Sequence, residues 1–92
     1  MATFSKSRKI DNRLALTLWI RRIQRAVQEG ELEQIWPKRY VTDSTEAVLT
    51  LDPDGVLPDY IGMYFRETAS GRVYSLSAET YHGTGGAWDE LS

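Results

Sequence analysis

Cysteine is absent from the 92 residues. That excludes a disulfide framework, a thiolate metal site and a cysteine nucleophile. Histidine occurs once, at position 82, so one chain cannot assemble a multi-histidine metal centre. No run approaches the ~20 apolar residues of a membrane span. The basic opening MATFSKSRKI is not followed by the apolar stretch of a secretory leader. The expected location is therefore the cytoplasm, with no membrane contact. No internal repeat and no low-complexity tract interrupts the chain.

What is present suits one small folded domain spanning 1–92. The hydrophobic fraction is 41% and the charged fraction 26%, with three Trp, five Tyr and two Phe for a core. The formal net charge of −2 hides a split. Residues 1–39 hold nine cations and four acids, a net +5, and residues 40–92 hold two cations and nine acids, a net −7. Halves of opposite sign either attract each other within the fold or offer two faces to partners.

Residues 1–9 read as a mobile basic arm. From Asn12 to Glu29 there is no Gly or Pro, Asp11 or Asn12 is a plausible N-cap, and Gly30 supplies the stop. This predicts a helix of about 18 residues. On a helical wheel Leu16, Trp19, Ile20, Ile23, Ala26 and Val27 form a core stripe. Leu14 and Leu18 fall on the far side, among Arg21, Arg22 and Arg25. Either the C-terminal tail folds over this second stripe, or a partner groove receives it. Arginine suits forked contacts with phosphate or carboxylate.

Glu31–Trp36 reads as a short second helix ended by Pro37. Lys38-Arg39-Tyr40 follows as a connector in which the cations are either solvated or in contact with phosphate. Glu46–Asp52 reads as a strand, Asp52-Pro53-Asp54-Gly55 as a turn, and Tyr60–Arg66 and Arg72–Leu76 as two strands joined through Glu67–Gly71. Alternation places Ile61, Met63 and Phe65 on one side of their strand, with Tyr64 and Arg66 on the other. The glycines between His82 and Gly86 read as a loop, and Trp88 and Leu91 as an anchor for the tail. The expected fold class is α+β, with one long amphipathic helix and a short one on an antiparallel sheet of about three strands.

Four constellations bear on chemistry. Glu79-x-x-His82 has a helical metal-ligand spacing, but the glycines that follow oppose a helix and no further ligand stands nearby. The carboxylates at 52, 54 and 59 lack the third early ligand and the bidentate Glu of a calcium loop. His82 with Ser77 or Thr80 makes no more of a catalytic set than chance provides. No cofactor, no metal, no small-molecule substrate and no enzymatic activity is expected. The fourth constellation is the basic arm and helix: Lys6, Arg8, Lys9, Arg13, Arg21, Arg22 and Arg25 face a single acid, Asp11, within residues 1–26. With Leu14, Leu18, Lys38 and Arg39 they form the candidate partner-binding set. No tight turn with a recognition helix and no ribonucleoprotein signature accompanies them, so phosphates are the likelier nucleic-acid target than bases.

The basic helical start KSRKIDNRLALTLWIRRIQR, the strand-rich acidic stretch FRETASGRVYSLSAETYHGTGG, the short length and the lack of cysteine or a catalytic set carry one resemblance. The chain resembles the small phage-encoded anti-CRISPR proteins that act on type I-F complexes. Those proteins share no motif, so no residue role is carried over. The resemblance implies a stoichiometric inhibitor that docks on the Cas proteins of a host surveillance complex, with guide RNA within reach, and hinders target DNA recognition. The residues alone also admit a small nucleic-acid-binding regulator that uses the basic N-terminal helix.

Overall fold

A computed structural model describes Phe4 and residues 7–37, 47–81 and 83–91. Five strands and one helix follow each other as β1 (Arg8–Ile10), α1 (Arg13–Gln28), β2 (Leu32–Ile35), β3 (Tyr60–Glu67), β4 (Val73–Glu79) and β5 (Gly85–Glu90), with a single 3₁₀ turn at Val48–Thr50. The sheet order is β1-β5-β4-β3-β2, and every neighbouring pair is antiparallel. The last three strands form a central meander. The first two strands take its opposite edges, with α1 carrying the chain from one edge to the other. Sixteen residues reach about 24 Å at 1.5 Å per residue, close to the width of five strands spaced about 4.8 Å apart.

The helix begins where the sequence predicts. The Asn12 side chain accepts a hydrogen bond from Ala15 N at 2.8 Å, satisfying one of the orphan donors of the first turn. Past the other end, Gly30 has φ +78, a conformation glycine adopts without a Cβ penalty. Leu16, Ile20, Ile23 and Ala26 are buried against the sheet, and Ala15, Trp19 and Val27 pack partly against the same core. The sheet contributes Ile10, Leu32, Ile61, Met63, Phe65, Tyr74, Leu76, Ala78 and Trp88. The alternation expected for β3 holds, and β4 alternates likewise, with Tyr74, Leu76 and Ala78 buried.

Several elements differ from the sequence reading, each for a local reason. The stretch expected as a second helix is strand β2, paired Leu32 to Glu67 and Ile35 to Tyr64. Six residues are too few to sustain a helix unaided, and the reversal at Gly30 lays them along the edge of β3. The strand expected over 46–52 is a 3₁₀ turn at its described positions. There the Gln24 side chain donates to Val48 O at 2.8 Å and Leu51 O at 2.9 Å, so these carbonyls are bonded by α1 rather than by a neighbouring strand. The glycine loop gives way at Gly85 to a fifth strand. A Cβ on Gly86 would lie 2.1 Å from Ser77 O, so this close approach of β5 to β4 admits only glycine. Trp88 is buried as the expected anchor, whereas Leu91 is exposed. At its described positions the N-terminal arm belongs to the fold: Phe4 is buried, Ser7 Oγ accepts from Glu90 N at 3.2 Å, and Arg8–Ile10 pairs with β5. The sheet therefore has five strands rather than about three.

Tyr74 lies under the helix with its hydroxyl buried and without a hydrogen-bond partner. Burial, and after it the carboxylates of Glu67 and Glu90, raise its pKa above the ordinary tyrosine value, against the opposing influence of Arg72. The unfolded chain therefore releases this proton more readily than the folded one. The Tyr74 contribution to stability is complete below about pH 10 and is lost as the pH rises above it. Tyr74→Phe should be neutral or stabilising at pH 7, because it removes an unsatisfied hydroxyl. It should also flatten the fall in stability above about pH 10, as read by urea unfolding across that range. Ile23→Ala should cost about 2–5 kcal/mol in the same assay, as truncation of a fully buried aliphatic side chain does.

Candidate docking face of the helix

The side of α1 turned away from the sheet is divided lengthwise. One flank is occupied by residues 47–57. Arg13 donates through Nη2 to Pro53 O at 3.0 Å and Gly55 O at 2.6 Å, and Thr17 Oγ1 donates to Pro53 O at 2.9 Å. Arg21 forms an ion pair with Asp54 in the same turn. The turn folds back this way because Asp52 Oδ1 accepts from Asp54 N at 3.1 Å and Gly55 N donates to Asp52 O at 3.1 Å. On the other flank Arg22 lies over two rings, 4.7 Å from the centroid of Phe4 and 5.1 Å from that of Trp19. Cation–π stacking of this kind holds the guanidinium against the body.

Between the flanks runs an uncovered stripe. Leu14 is 69% and Leu18 57% exposed, one turn apart on the same helix surface. Arg25 continues the stripe and is bridged to Glu29 at 3.2 Å in an i,i+4 pair. Such exposed pairs contribute at most about 0.5 kcal/mol and yield readily to a stronger partner. The C-terminal tail does not cover the leucines, because residues 85–90 are in the sheet.

The predicted binding set thus separates by position. Leu14, Leu18 and Arg25 share the open stripe, with Arg21 at its margin on Asp54. Arg13 is turned into the 53–55 turn and Arg22 onto the aromatic rings. Arg8 and Lys9 lie on edge strand β1, where Lys9 is 3.7 Å from Asp11. Lys6, Lys38 and Arg39, and the loop residue His82, lie outside the described residues. Arg21–Asp54 uses the charge split of the sequence internally, whereas Arg66–Glu33 at 2.9 Å joins the two parts in the opposite sense and Arg72–Glu90 at 2.7 Å lies within residues 40–92.

One feature escapes sequence reasoning. The face of the sheet opposite α1 carries a shallow depression of about 500 Å³, lined by Tyr60, Gly62, Tyr64, Ser77, Glu79 and Gly85. The alternation of β3 gave the faces of Tyr64 and Arg66. The register that sets Gly62 beside Ser77 and Ala87 depends on a fifth strand hidden behind glycines.

Among the described residues no group of three or more His, Asp or Glu is placed to hold a metal ion, and no helix is long and apolar enough to cross a membrane. A comparison with protein-family models, with curated protein sequences and with solved structures finds no match to this chain.

The geometry separates structural arginine from surface leucine. Leu14→Ser and Leu18→Ser should each leave the unfolding free energy within about 0.5 kcal/mol of the parent, as exposed positions do. Arg13→Ala, which releases two carbonyls of the 53–55 turn, should cost about 1 kcal/mol. Chemical denaturation of the three variants side by side checks the contrast.

Proposed function

We propose that this chain is a non-catalytic, stoichiometric inhibitor that docks through the outer stripe of α1 on the multi-subunit Cas surveillance complex of a host cell and hinders its recognition of target DNA. The observation that carries the docking reading is the exposure of Leu14 and Leu18 beside Arg21 and Arg25, on a helix whose other sides are all in use. Two adjacent, well-exposed leucines with a cationic margin make the centre and rim of a protein-binding surface. The resemblance to anti-CRISPR proteins of type I-F systems supplies the partner, and Cas subunits with bound guide RNA offer the anionic and apolar surfaces such a stripe fits.

The arrangement of charge favours this reading over that of a regulator binding free nucleic acid. Asp54 stands on Arg21 and Glu29 on Arg25, so the stripe alternates in sign instead of forming the continuous cationic track that phosphates demand. A composite surface of protein and RNA tolerates such alternation better than a bare duplex does.

The test uses the assembled surveillance complex, with bare duplex DNA and bare RNA as controls. The parent chain should bind the complex and show no steep salt-dependent binding to either nucleic acid. The triple variant Leu14→Ser, Leu18→Ser, Arg25→Glu should lose at least about 100-fold in affinity for the complex, equivalent to about 2.8 kcal/mol, while remaining folded with a melting temperature lowered by about 10 °C at most. Retained binding by the triple variant would overturn the assignment of the stripe. Binding to bare nucleic acid that falls steeply with salt would instead favour the regulator.

A further inference from the structure

We infer that the outer stripe of α1 is the seat for a single α-helix of a partner protein, apolar over one half of its length and carrying carboxylates over the other. This rests on the docking reading proposed above and names the kind of element that docks.

The spacing of the stripe is that of a helix seam. Leu14, Leu18, Arg21, Arg25 and Gln28 follow one another at intervals of four, three, four and three residues, the alternation with which two helices lie along each other. All five are exposed. Leu16 and Ile23, on the opposite side of α1, are fully buried against the sheet, so the seam points directly away from the body. It runs for about 21 Å along the helix. Both of its sides are walled. Thr17 and Gln24 are tied to the carbonyls of Pro53, Val48 and Leu51 on one side, and Arg22 is stacked on Phe4 and Trp19 on the other. On the loop side Leu49 and Val56 are exposed as well.

The seam is divided along its length, and the division selects the occupant. Its first two positions are leucine and the next two arginine. A second copy of this chain does not fit. An antiparallel pairing lays leucine on arginine, and a parallel pairing lays arginine on arginine. A helix with apolar residues at two seam positions and carboxylates at the next two matches both halves. The arginines keep donors for it. Among the described bonds Arg25 reaches Glu29 through Nε and Arg21 reaches Asp54 through Nη2, so each leaves part of its five-donor fork for a second carboxylate. Arg13 bonds the neutral acceptors Thr17 Oγ1, Pro53 O and Gly55 O. Three guanidinium charges thus stand against the two acids, Asp54 and Glu29, that pair with them. Single-stranded RNA fits less well, because the leucines offer its bases no ring to stack on, and Asp54 and Glu29 meet its phosphates with like charge.

The probe is an end-blocked, alanine-rich helical peptide of about 21 residues, three heptads, with Leu at two successive seam positions and Glu at the next two. The comparators are the same peptide with Lys in place of Glu, and oligouridylate. Each is titrated into the full chain labelled with ¹⁵N and with ¹³C at its methyl groups. The Leu/Glu peptide should shift the methyl signals of Leu14 and Leu18 and the amide signals of Arg25 and Gln28 in a saturable way, with the buried Leu76 unmoved. The Leu/Lys peptide should bind about tenfold more weakly, since it sets like charges together. Arg25→Glu should narrow that difference to about twofold or less. Its loss of one exposed ion pair leaves the fold intact, which the unmoved core signals report. Equal binding of the two peptides to the parent, shifts confined to one end of the seam, absence of saturable shifts, or shifts of the stripe by oligouridylate in place of the peptide would each overturn the inference. The triple variant on the assembled complex tests the docking reading separately. A complex that engages the leucines when the peptide does not overturns the helical partner alone, and a complex that ignores them overturns the docking reading on which it rests.

Discussion

The packing of Trp88 holds the two layers of the fold together. Its indole stacks on Tyr74 with centroids 5.1 Å apart and on Trp19 of the helix at 5.4 Å, while Phe4 and Phe65 meet it at 5.5 and 5.9 Å. Its Nε1 donates to the carbonyl of Phe4 at 3.2 Å. One side chain on β5 therefore ties together the N-terminal residues, the helix and two neighbouring strands. Aromatic side chains supply the largest apolar areas available to a small core. In a chain this short, without a cysteine to form a disulfide, that cluster takes the place of a staple.

A second consequence is geometric. One helix covers one face of a five-stranded sheet, and nothing among the described residues covers the other. Among the described residues the back of the helix is covered only along its flanks, by residues 47–57 on one side and by Phe4 beneath Arg22 on the other. The fold therefore presents two surfaces of different chemistry on opposite sides. The helix side offers leucine with arginine, and the sheet side offers tyrosine with carboxylate. The sign asymmetry between the halves of the sequence reappears as an asymmetry between faces, partly neutralised by the Arg21–Asp54 pair that crosses from helix to loop. The proposed docking on a large assembly would draw on this division, since each face can address a different part of a target.

How far the sequence discloses this arrangement depends on whether the signal is local. The helix, its Asn12 cap and its two stripes were legible, because caps and 3.6-residue periodicity belong to contiguous residues. The central hairpin of β3 and β4 was legible for the same reason. Strand β2 was not: Leu32, Ile35 and Trp36 share a helical spacing, and only pairing with β3 decides against it. Strand β5 was hidden because Gly85 and Gly86 read as flexible, whereas Gly86 is required by the close approach of Ser77. The N-terminal strand was missed since nothing in Arg8–Ile10 announces β5 as its partner, some 80 residues away. Within the candidate site, the wheel put Leu14 and Leu18 on the side away from the core but left open whether the tail covers them, and their exposure is decided by residues 85–90 joining the sheet. The engagement of Arg13 with the turn at Pro53 and of Arg22 with Phe4 was not legible, because both depend on segments distant in sequence.

The central claim is that the leucines on the outer side of α1 meet a partner rather than solvent. Methyl-resolved NMR of the ¹³C-labelled chain, recorded alone and with the assembled surveillance complex, addresses it directly. The account predicts that the methyl signals of Leu14 and Leu18 broaden or shift at substoichiometric complex, ahead of those of the buried Leu16 and Leu76. Leucine signals on the helix that stay unchanged while the complex is bound elsewhere, or that stay unchanged because nothing binds, would contradict it.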